Sequence, residues 1–550
     1  MEYYGYAGKI LRVNLTNKSI NSEELNKEII EKWLGGRGLG VYYFLKEVDP
    51  KVDPLSEKNK IIISTGPLTG ITGAPTPGRE IIVSKSPLTN RLAWSVGGGK
   101  FGPYLKFSGY DAIIIEGKSE KPVYLLIENE NVKIEDASEI WGKDVVESYD
   151  ILINKYPNSS ILLIGPAGEN LVRFSSVMFE KYHAAGRMGF GAVFGSKKLK
   201  AIVVRGDKKL KIFNESEWRK IMVEKIKKLN ENELVRDLRS FGTLGMLITR
   251  IGRHNAIPSN NFNQYMKIDA EKIKKEFIER IDPKESPKEA CWGCQIGCHK
   301  YVRNKIKELY AEGGAPEYWG GFVSLGSSVG TDDIDFVIYA KNLCDKLGLD
   351  AISTGHVIAC FIELSYYKKV NYNIKWGEKE KIIELIKKIA YRKDIGNELA
   401  EGSVYIANKY GKPDASVSIK GIEIGLCHPG SAVGYRLALA TSNRGDHNQT
   451  MLRDEILLKK LDPEKREGKV DYVIHMQNLF VILDSCGICI FSSYALDFKD
   501  LTDLLKTVTG IDFNEEKLKE IAERIYTAER YYNVLALGYE AVSYTHLRAH

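Results

Sequence analysis

Apolar and polar positions change their period once along the chain. Up to about residue 210 they form short runs with the two-residue alternation, or the solid β-branched stretches, that mark strands. Gly8-Lys-Ile-Leu-Arg-Val-Asn-Leu-Thr-Asn alternates into a turn at Asn17-Lys18, and Ile61-Ile-Ile-Ser-Thr, Asp111-Ala-Ile-Ile-Ile-Glu-Gly, Pro122-Val-Tyr-Leu-Leu-Ile and Ala201-Ile-Val-Val-Arg follow. Many short strands predict curved sheets or a sandwich. Between them lie glycine-dense segments that read as loops: Gly35-Gly-Arg-Gly-Leu-Gly, Gly66 to Gly78, Gly97-Gly-Gly-Lys-Phe-Gly and Ala184 to Gly195. From about Phe213 the spacing turns helical, with charged amphipathic segments at Glu217 to Asn230, Asp333 to Leu347 and Glu378 to Arg392. The pattern predicts an α+β fold with a β-rich domain over 1–211 and two mainly helical domains over 212–416 and 417–542, the last beginning after Gly411-Lys-Pro. Ser543-Tyr-Thr-His-Leu-Arg-Ala-His550 continues neither period and reads as an adapter-derived tail, so it is set aside from the fold.

Composition narrows the class. The 550 residues carry 79 Lys+Arg against 72 Asp+Glu, a net charge of +7, with 43% hydrophobic and 27% charged residues. Disorder and fibrous repeats are excluded, and the length suits about three domains of ~100–200 residues. The charges are interspersed, without the basic stripe of a nucleic-acid binder. No stretch approaches the ~18 consecutive apolar residues of a membrane span. Met1-Glu-Tyr-Tyr has neither the basic nor the apolar region of a signal peptide, so a cytoplasmic protein is expected, with no membrane or nucleic-acid partner.

The cysteines point to metal. Of eight, Cys291, Cys294 and Cys298 form C-x2-C-x3-C, and Cys486 and Cys489 form a distant C-x2-C. Three thiols within eight residues cannot all face a core from one regular element, so the segment reads as a loop around a metal centre. A [4Fe–4S] cluster takes four cysteines, and a structural zinc takes three plus a histidine. The fourth ligand therefore decides, with Cys489 and His299 as the candidates. Cys344, Cys360 and Cys427 stand alone and read as buried small residues. The glycine segments match neither a Walker A sequence nor a G-x-G-x-x-G opening a βαβ unit, which disfavours a Rossmann site. Their number still suggests a bulky phosphorylated cofactor. Asp345-Lys-Leu-Gly-Leu-Asp350 and Asp484-Ser-Cys-Gly-Ile-Cys489 share a D-x-x-G spacing. A shared ligand is one reading of it, and for Asp345 to Asp350 a helix ending at a C′ glycine is the other. Glu317 in Gly-Ala-Pro-Glu-Tyr-Trp and His447 in Asn-Arg-Gly-Asp-His-Asn lie in turn-forming segments and are the candidates for proton transfer.

Together these residues resemble the aldehyde ferredoxin oxidoreductase family of tungsten–bispterin enzymes. The likeness is carried by Tyr6-Ala-Gly-Lys-Ile-Leu-Arg-Val-Asn-Leu, Thr65-Gly-Pro-Leu-Thr-Gly, Phe101-Gly-Pro-Tyr-Leu-Lys-Phe-Ser-Gly-Tyr-Asp, Ile164-Gly-Pro-Ala-Gly-Glu and Ala185-Gly-Arg-Met-Gly-Phe-Gly. It continues through the cysteine segment, Pro316-Glu-Tyr, both D-x-x-G segments and Ala440-Thr-Ser-Asn-Arg-Gly, and so runs from Met1 to about Tyr539. The resemblance implies an N-terminal saddle of β-sheets under the cofactor and two mainly helical domains closing over it. It implies tungsten (or molybdenum) held by two molybdopterin-type dithiolenes, magnesium bridging their phosphates, and a [4Fe–4S] cluster. Carried over by position, the cluster ligands are Cys291, Cys294, Cys298 and Cys489. The pterin-binding motifs are Asp345/Gly348/Asp350 and Asp484/Gly487/Ile488. Arg79, Gly97, Gly98, Gly99, Ala184, Ala185, Gly186 and Arg187 fall at the pterins and their phosphates, and Glu317 and His447 at the acid/base positions near the metal. The implied reaction is oxidation of an aldehyde to its carboxylate, with electrons passed to ferredoxin, in a chain that the family pattern also allows to dimerise.

Departures from the family pattern are visible. Asn448-Gln449 stands where a basic residue often follows the histidine, Trp319 where many members carry a second acid, and Val96 where many carry Asn, although Val96 retains the backbone carbonyl that magnesium uses. No E-x-x-H appears where some members bind a metal between subunits, and the tail stands where the family's chain normally continues. Two rivals remain at this stage. One is the catalytic subunit of an aryl-thioester (benzoyl-CoA type) reductase complex, and the other a metal-stabilised binding protein without redox turnover.

Overall fold

The computed structural model describes residues 2–252, 257–266, 268–445 and 452–538. The first twelve strands build two sheets. They are β1 (Lys9–Asn14), β2 (Ser19–Glu24), β3 (Ile61–Thr65), β4 (Glu80–Lys85), β5 (Leu92–Gly97), β6 (Ala112–Glu116), β7 (Val123–Glu128), β8 (Asn131–Asp136), β9 (Ser160–Leu163), β10 (Val177–Phe179), β11 (His183–Ala185) and β12 (Leu199–Arg205). One sheet runs β2-β1-β6-β3-β4-β5 and the other β11-β10-β9-β12-β7-β8. Both are mixed, since β1 pairs parallel with β6 and β12 parallel with β7 while the remaining pairs are antiparallel.

Period two decides what each face meets. Leu11, Val13, Ile61, Ile63, Ile113 and Ile115 face Leu125, Ile127, Ile202 and Val204 across a shared core between the sheets. Their neighbours Ile10, Ile62, Ile81, Val83 and Ile114 point the other way, against Leu39 and Phe44 of helix Gly36–Glu47 and Leu483 and Ile525 of later helices. Tyr124, Leu126, Leu163 and Val203 cover helix Val145–Lys155 on the far side. A sheet buried on both faces needs apolar strand centres, and β3 and β4, buried at every position, carry Ile61–Ile63 and Ile81–Val83 there, with polar residues only toward their ends.

The amphipathic segments fold as helices Glu215–Glu231, Ile334–Leu347 and Lys379–Ala390, within two residues of their predicted limits. The glycine-dense segments are not all loops. Residues 36–47, 101–107 and 190–196 are short helices packed into the interior. Their small residues let helix backbone lie close to sheet and to other helices, and local composition cannot separate that use from an open loop. Strands β5 and β11, each the edge of its sheet, meet side by side, and the helical regions close over that junction. Among the described residues no helix is long and apolar enough to cross a membrane.

Candidate active site

Both D-x-x-G segments are helix ends. Helix Ile334–Leu347 stops at Gly348 with φ 72° and helix Lys469–Cys486 at Gly487 with φ 78°, the left-handed cap that glycine adopts without strain. Asp345 and Asp484 therefore sit in the last helical turn, and both line one cavity of about 260 Å³. Each cap also rests on a glycine from the N-terminal sheets. A Cβ at Gly165 would lie 2.7 Å from the Gly348 nitrogen, and one at Gly66 would lie 2.4 Å from the Gly487 nitrogen. Gly66, read from sequence as part of a glycine-dense loop, instead admits one of these helix ends, and Gly165 admits the other. The two readings of D-x-x-G are thus compatible, because the capping turn itself aims the aspartate into the cavity.

Burial pushes both carboxyls up to about 6, Asp345 against the opposing pull of Lys341 and Asp484 against Arg37 and Arg444. Asp484 Oδ2 lies 3.5 Å from Arg37 Nη1, while its Oδ1 is sealed from solvent with no hydrogen-bond partner. Arg37 stacks on Trp94 at 3.4 Å and Arg444 on the same ring at 4.9 Å. Arg79, Gly98, Ala184, Gly186 and Arg187 come to the cavity wall, whereas Gly97, Gly99, Ala185, Gly348, Gly487 and Ile488 stand outside that lining. Asp350 also reaches the wall but is engaged by Arg187 at 3.2 Å and caps helix Ala351–Tyr366 by accepting from the Ile352 N–H at 3.0 Å. Among the described lining residues, six cationic side chains (Arg37, Arg79, Arg187, Lys300, Lys341, Arg444) face four carboxylates.

The four predicted thiols converge. Cys291, Cys294, Cys298 and Cys489 line one small cavity, and Cys291, Cys298 and Cys489 also line the large one, together with Arg79, so the two cavities share that wall. All four are free thiols. The Cys489 N–H donates to Thr76 Oγ1 at 2.9 Å, and the Trp292 N–H to the Gly99 carbonyl at 2.8 Å, so both cysteine segments are anchored on the loops around β4 and β5. The Arg79 guanidinium donates to Cys489 Sγ at 2.9 Å and to the Gly97 carbonyl at 3.1 Å. Burial and the neighbouring thiols push the Cys294 thiol up to about 12 and Cys298 well above its usual value. With their sulfurs enclosed in this way, a positive centre in the cavity would be what holds them as thiolates. Cys344, Cys360, Cys427 and Cys486 are buried, and none of them lines either cavity. His299 borders both cavities beside the thiols.

Glu317 lies on the large cavity at the start of a π-helical turn, Tyr318–Ser324, where the Phe322 N–H reaches back five residues to the Glu317 carbonyl at 3.2 Å. Such turns recur at functional sites because the extra residue re-aims side chains. Glu317 Oε1 is 3.6 Å from Lys341 Nζ, which is itself bound to both oxygens of Asp345 at 2.7 Å. Sequence reasoning missed Lys341, although its i,i+4 spacing to Asp345 was a readable signal. It also left Arg37 and Arg444 unassigned inside motifs it had recognised. His447 lies outside the described residues.

Comparison with known proteins accords with this geometry. The sequence model described as "Aldehyde ferredoxin oxidoreductase, N-terminal domain" matches residues 10–206, and that described as "Aldehyde ferredoxin oxidoreductase, domains 2 & 3" matches 220–545. The tungsten-containing aldehyde ferredoxin oxidoreductase of Thermococcus kodakarensis is 41% identical over 97% of this chain and 89% of its own length, and that of Pyrococcus furiosus matches equally. An aliphatic sulfonate oxidoreductase subunit of Pyrococcus furiosus is 34% identical over 81% of the chain and 76% of its own length. A chain from the solved active-site complex of benzoyl coenzyme A reductase shares the fold, with a TM-score of 0.84 and 24% identity over 98% of this chain and 90% of that one. With family models covering both halves and relatives identical at two positions in five, the chain belongs to the aldehyde ferredoxin oxidoreductase family.

Proposed function

We propose that this protein oxidises aldehydes to carboxylates and delivers the electrons to ferredoxin, using a tungsten–bispterin centre beside a [4Fe–4S] cluster. The observation that carries the reading is the meeting of four free thiols, three from one segment and one from the end of the second D-x-x-G motif, on a wall shared with a cation-rich cavity. The residues fit the cofactors. Four cysteine sulfurs are the donor set of a cubane cluster. The unpartnered Oδ1 of Asp484 offers an acceptor to a polar ring, and the excess of cations suits phosphorylated pterins. When bound, the tungsten bispterin supplies the two-electron oxidation and the cluster takes up single electrons for transfer.

In this reading Cys291, Cys294, Cys298 and Cys489 hold the cluster, and Asp345 and Asp484 receive the pterins with Gly348, Asp350, Gly487 and Ile488 shaping the motifs. Arg79, Gly97–Gly99 and Ala184–Arg187 would serve the cofactor's polar edge, and the Val96 backbone carbonyl would be available to a magnesium ion there. Residues 1–211 form the cofactor saddle and 212–416 and 417–542 the closing domains. The segment from Asp484 to Cys489 would place a residue at each cofactor within six positions.

Glu317 accepts the proton that the hydrated aldehyde loses as its C–H bond is oxidised. Lys341, tied to Asp345, holds a positive charge 3.6 Å from the Glu317 carboxylate and so orients it toward the cavity. Trp319 and Phe491, rings 6.3 Å apart on the cavity wall, narrow access and exclude water. His447 is the second proton-transfer residue by family position. Aldehyde-dependent reduction of ferredoxin by anaerobically purified protein tests the proposal. Glu317→Gln is expected to lower turnover by about 10²–10⁴-fold with tungsten and iron contents unchanged, and full turnover in that variant would remove Glu317 from the role.

A further inference from the structure

The residues that bracket the cysteine segment, Glu289 before Cys291 and His299 after Cys298, return to each other in space, and they meet at His183. His183 begins β11, at the edge of the second sheet, and Glu289 ends the short turn Ser286–Glu289. One donor atom from each of the three side chains lies within 4.8 Å of the other two. The imidazoles of His183 and His299 face each other with centroids 4.4 Å apart and planes inclined by 34°.

Two further observations mark this group as a binding site. Both ring nitrogens of His299 are shut off from solvent; the Tyr182 backbone carbonyl offers at most a weak acceptor to one of them, and the other has no partner. An imidazole always has two nitrogens to satisfy, and leaving a buried one bare is costly. His183 is oriented differently: its Nε2 lies 3.0 Å from the Glu289 carbonyl oxygen. That acceptor fixes the proton on Nε2 and leaves Nδ1 as a lone-pair donor, the arrangement by which a backbone carbonyl commonly orients a metal-bound histidine.

We propose that His183, Glu289 and His299 hold a mononuclear divalent cation of the zinc class, distinct from the four-thiol site. Two imidazole nitrogens and a carboxylate oxygen form a borderline donor set that suits zinc, unlike the all-thiolate set of an iron–sulfur cluster. At metal–ligand bonds of about 2.0–2.2 Å the donors of a tetrahedral site are about 3.4 Å apart, so small side-chain rotations close the present spacing. His183 and His299 both line the large cavity, which leaves a fourth position for water or an anionic oxygen. Zinc has no redox chemistry here. Its work is mechanical: joining residues 289 and 299 to β11, it clasps the base of the segment that presents Cys291, Cys294 and Cys298.

The test uses the anaerobically purified holoenzyme, dialysed into metal-free buffer, given one equivalent of zinc chloride and desalted. The expected result is about one zinc per chain in addition to the iron of the cluster, with a zinc K-edge spectrum showing only nitrogen and oxygen neighbours. His183→Asn and His299→Asn should each lower zinc retention at least tenfold, while the iron content and the reduced-cluster EPR signal of His183→Asn stay at the level of the unsubstituted protein. Absence of zinc from fully iron-loaded protein overturns the site, as does a sulfur neighbour in the spectrum. So does undiminished zinc in His183→Asn, which decides the matter even where His299→Asn loses cluster and zinc together, because residue 183 is remote in sequence from the cysteine segment. The iron count reports the cluster separately, so failure of the zinc site and failure of the proposed redox function remain distinguishable.

Discussion

Asp484 and Lys341 show what single side chains contribute before any cofactor is bound. In the cofactor-free protein Asp484 keeps its proton up to about 6, because burial outweighs the pull of Arg37 and Arg444, whereas an unfolded aspartate releases it near about 3.9. Between those values the folded chain binds more protons than the unfolded one, so this group's contribution to stability declines as pH rises through the window. Asp484→Asn does not titrate. Its thermal midpoint is expected to rise relative to the unsubstituted protein from about pH 4 to about pH 6 and to hold a constant offset beyond; an offset moving the other way contradicts the burial argument. Lys341 is predicted to matter for the opposite reason. Burial alone would discharge it, but Asp345 and Glu317 more than offset that and keep it cationic. Lys341→Met strands the buried Asp345 charge and should cost about 3–5 kcal/mol in denaturant unfolding. Lys341→Arg, which keeps the charge, should restore most of that stability and part of the aldehyde turnover. If Lys341→Met unfolds at the denaturant concentration of the parent, the Lys341–Asp345 pair is not the link described here.

At the scale of elements the decisive feature is how two helices end. Gly487 takes a left-handed conformation, which costs other residues about 1–2 kcal/mol, and a Cβ there would also come within 1.9 Å of Thr69 Oγ1. Gly411 has a similar φ of 68° with nothing within 4 Å. Gly487→Ala should therefore destabilise by more than about 2 kcal/mol and Gly411→Ala by about 1; equal losses in urea titrations would show that close packing at Gly487 adds nothing. The end at Gly348 was legible from the helix period and its glycine, whereas the helix ending at Gly487 was not read from the sequence; strand β3 was legible to the residue from its β-branched run. The glycine-dense segments were misread because a glycine that admits a neighbouring backbone looks the same in sequence as one that turns a loop. Only the partner distinguishes them, and for Gly66 that partner is more than four hundred positions away.

Across the whole molecule, long-range ion pairs bind the C-terminal helix to the cavity. Arg37 donates to both oxygens of Glu529 at 2.7 and 2.8 Å, lies 3.5 Å from Asp484, and stacks on Trp94. Glu529, in helix Glu515–Leu537, also accepts from Asn443 at 3.0 Å. Glu529→Ala should lower stability by about 3–5 kcal/mol and reduce the tungsten retained on gel filtration; unchanged retention would separate the C-terminal helix from cofactor closure. None of this was legible in the sequence, since residues 492 positions apart share no local pattern. The cysteine spacing was legible, because the chemistry of a cluster fixes the number and type of its ligands. The central claim, that four thiols hold one cubane beside a tungsten centre, is tested most directly by metal analysis and EPR of the anaerobically purified, dithionite-reduced protein. About four iron and one tungsten per chain with a reduced [4Fe–4S] signal, and loss of that signal in Cys489→Ser, are the predicted results. Zinc in place of iron, or an intact cluster in Cys489→Ser, would contradict it.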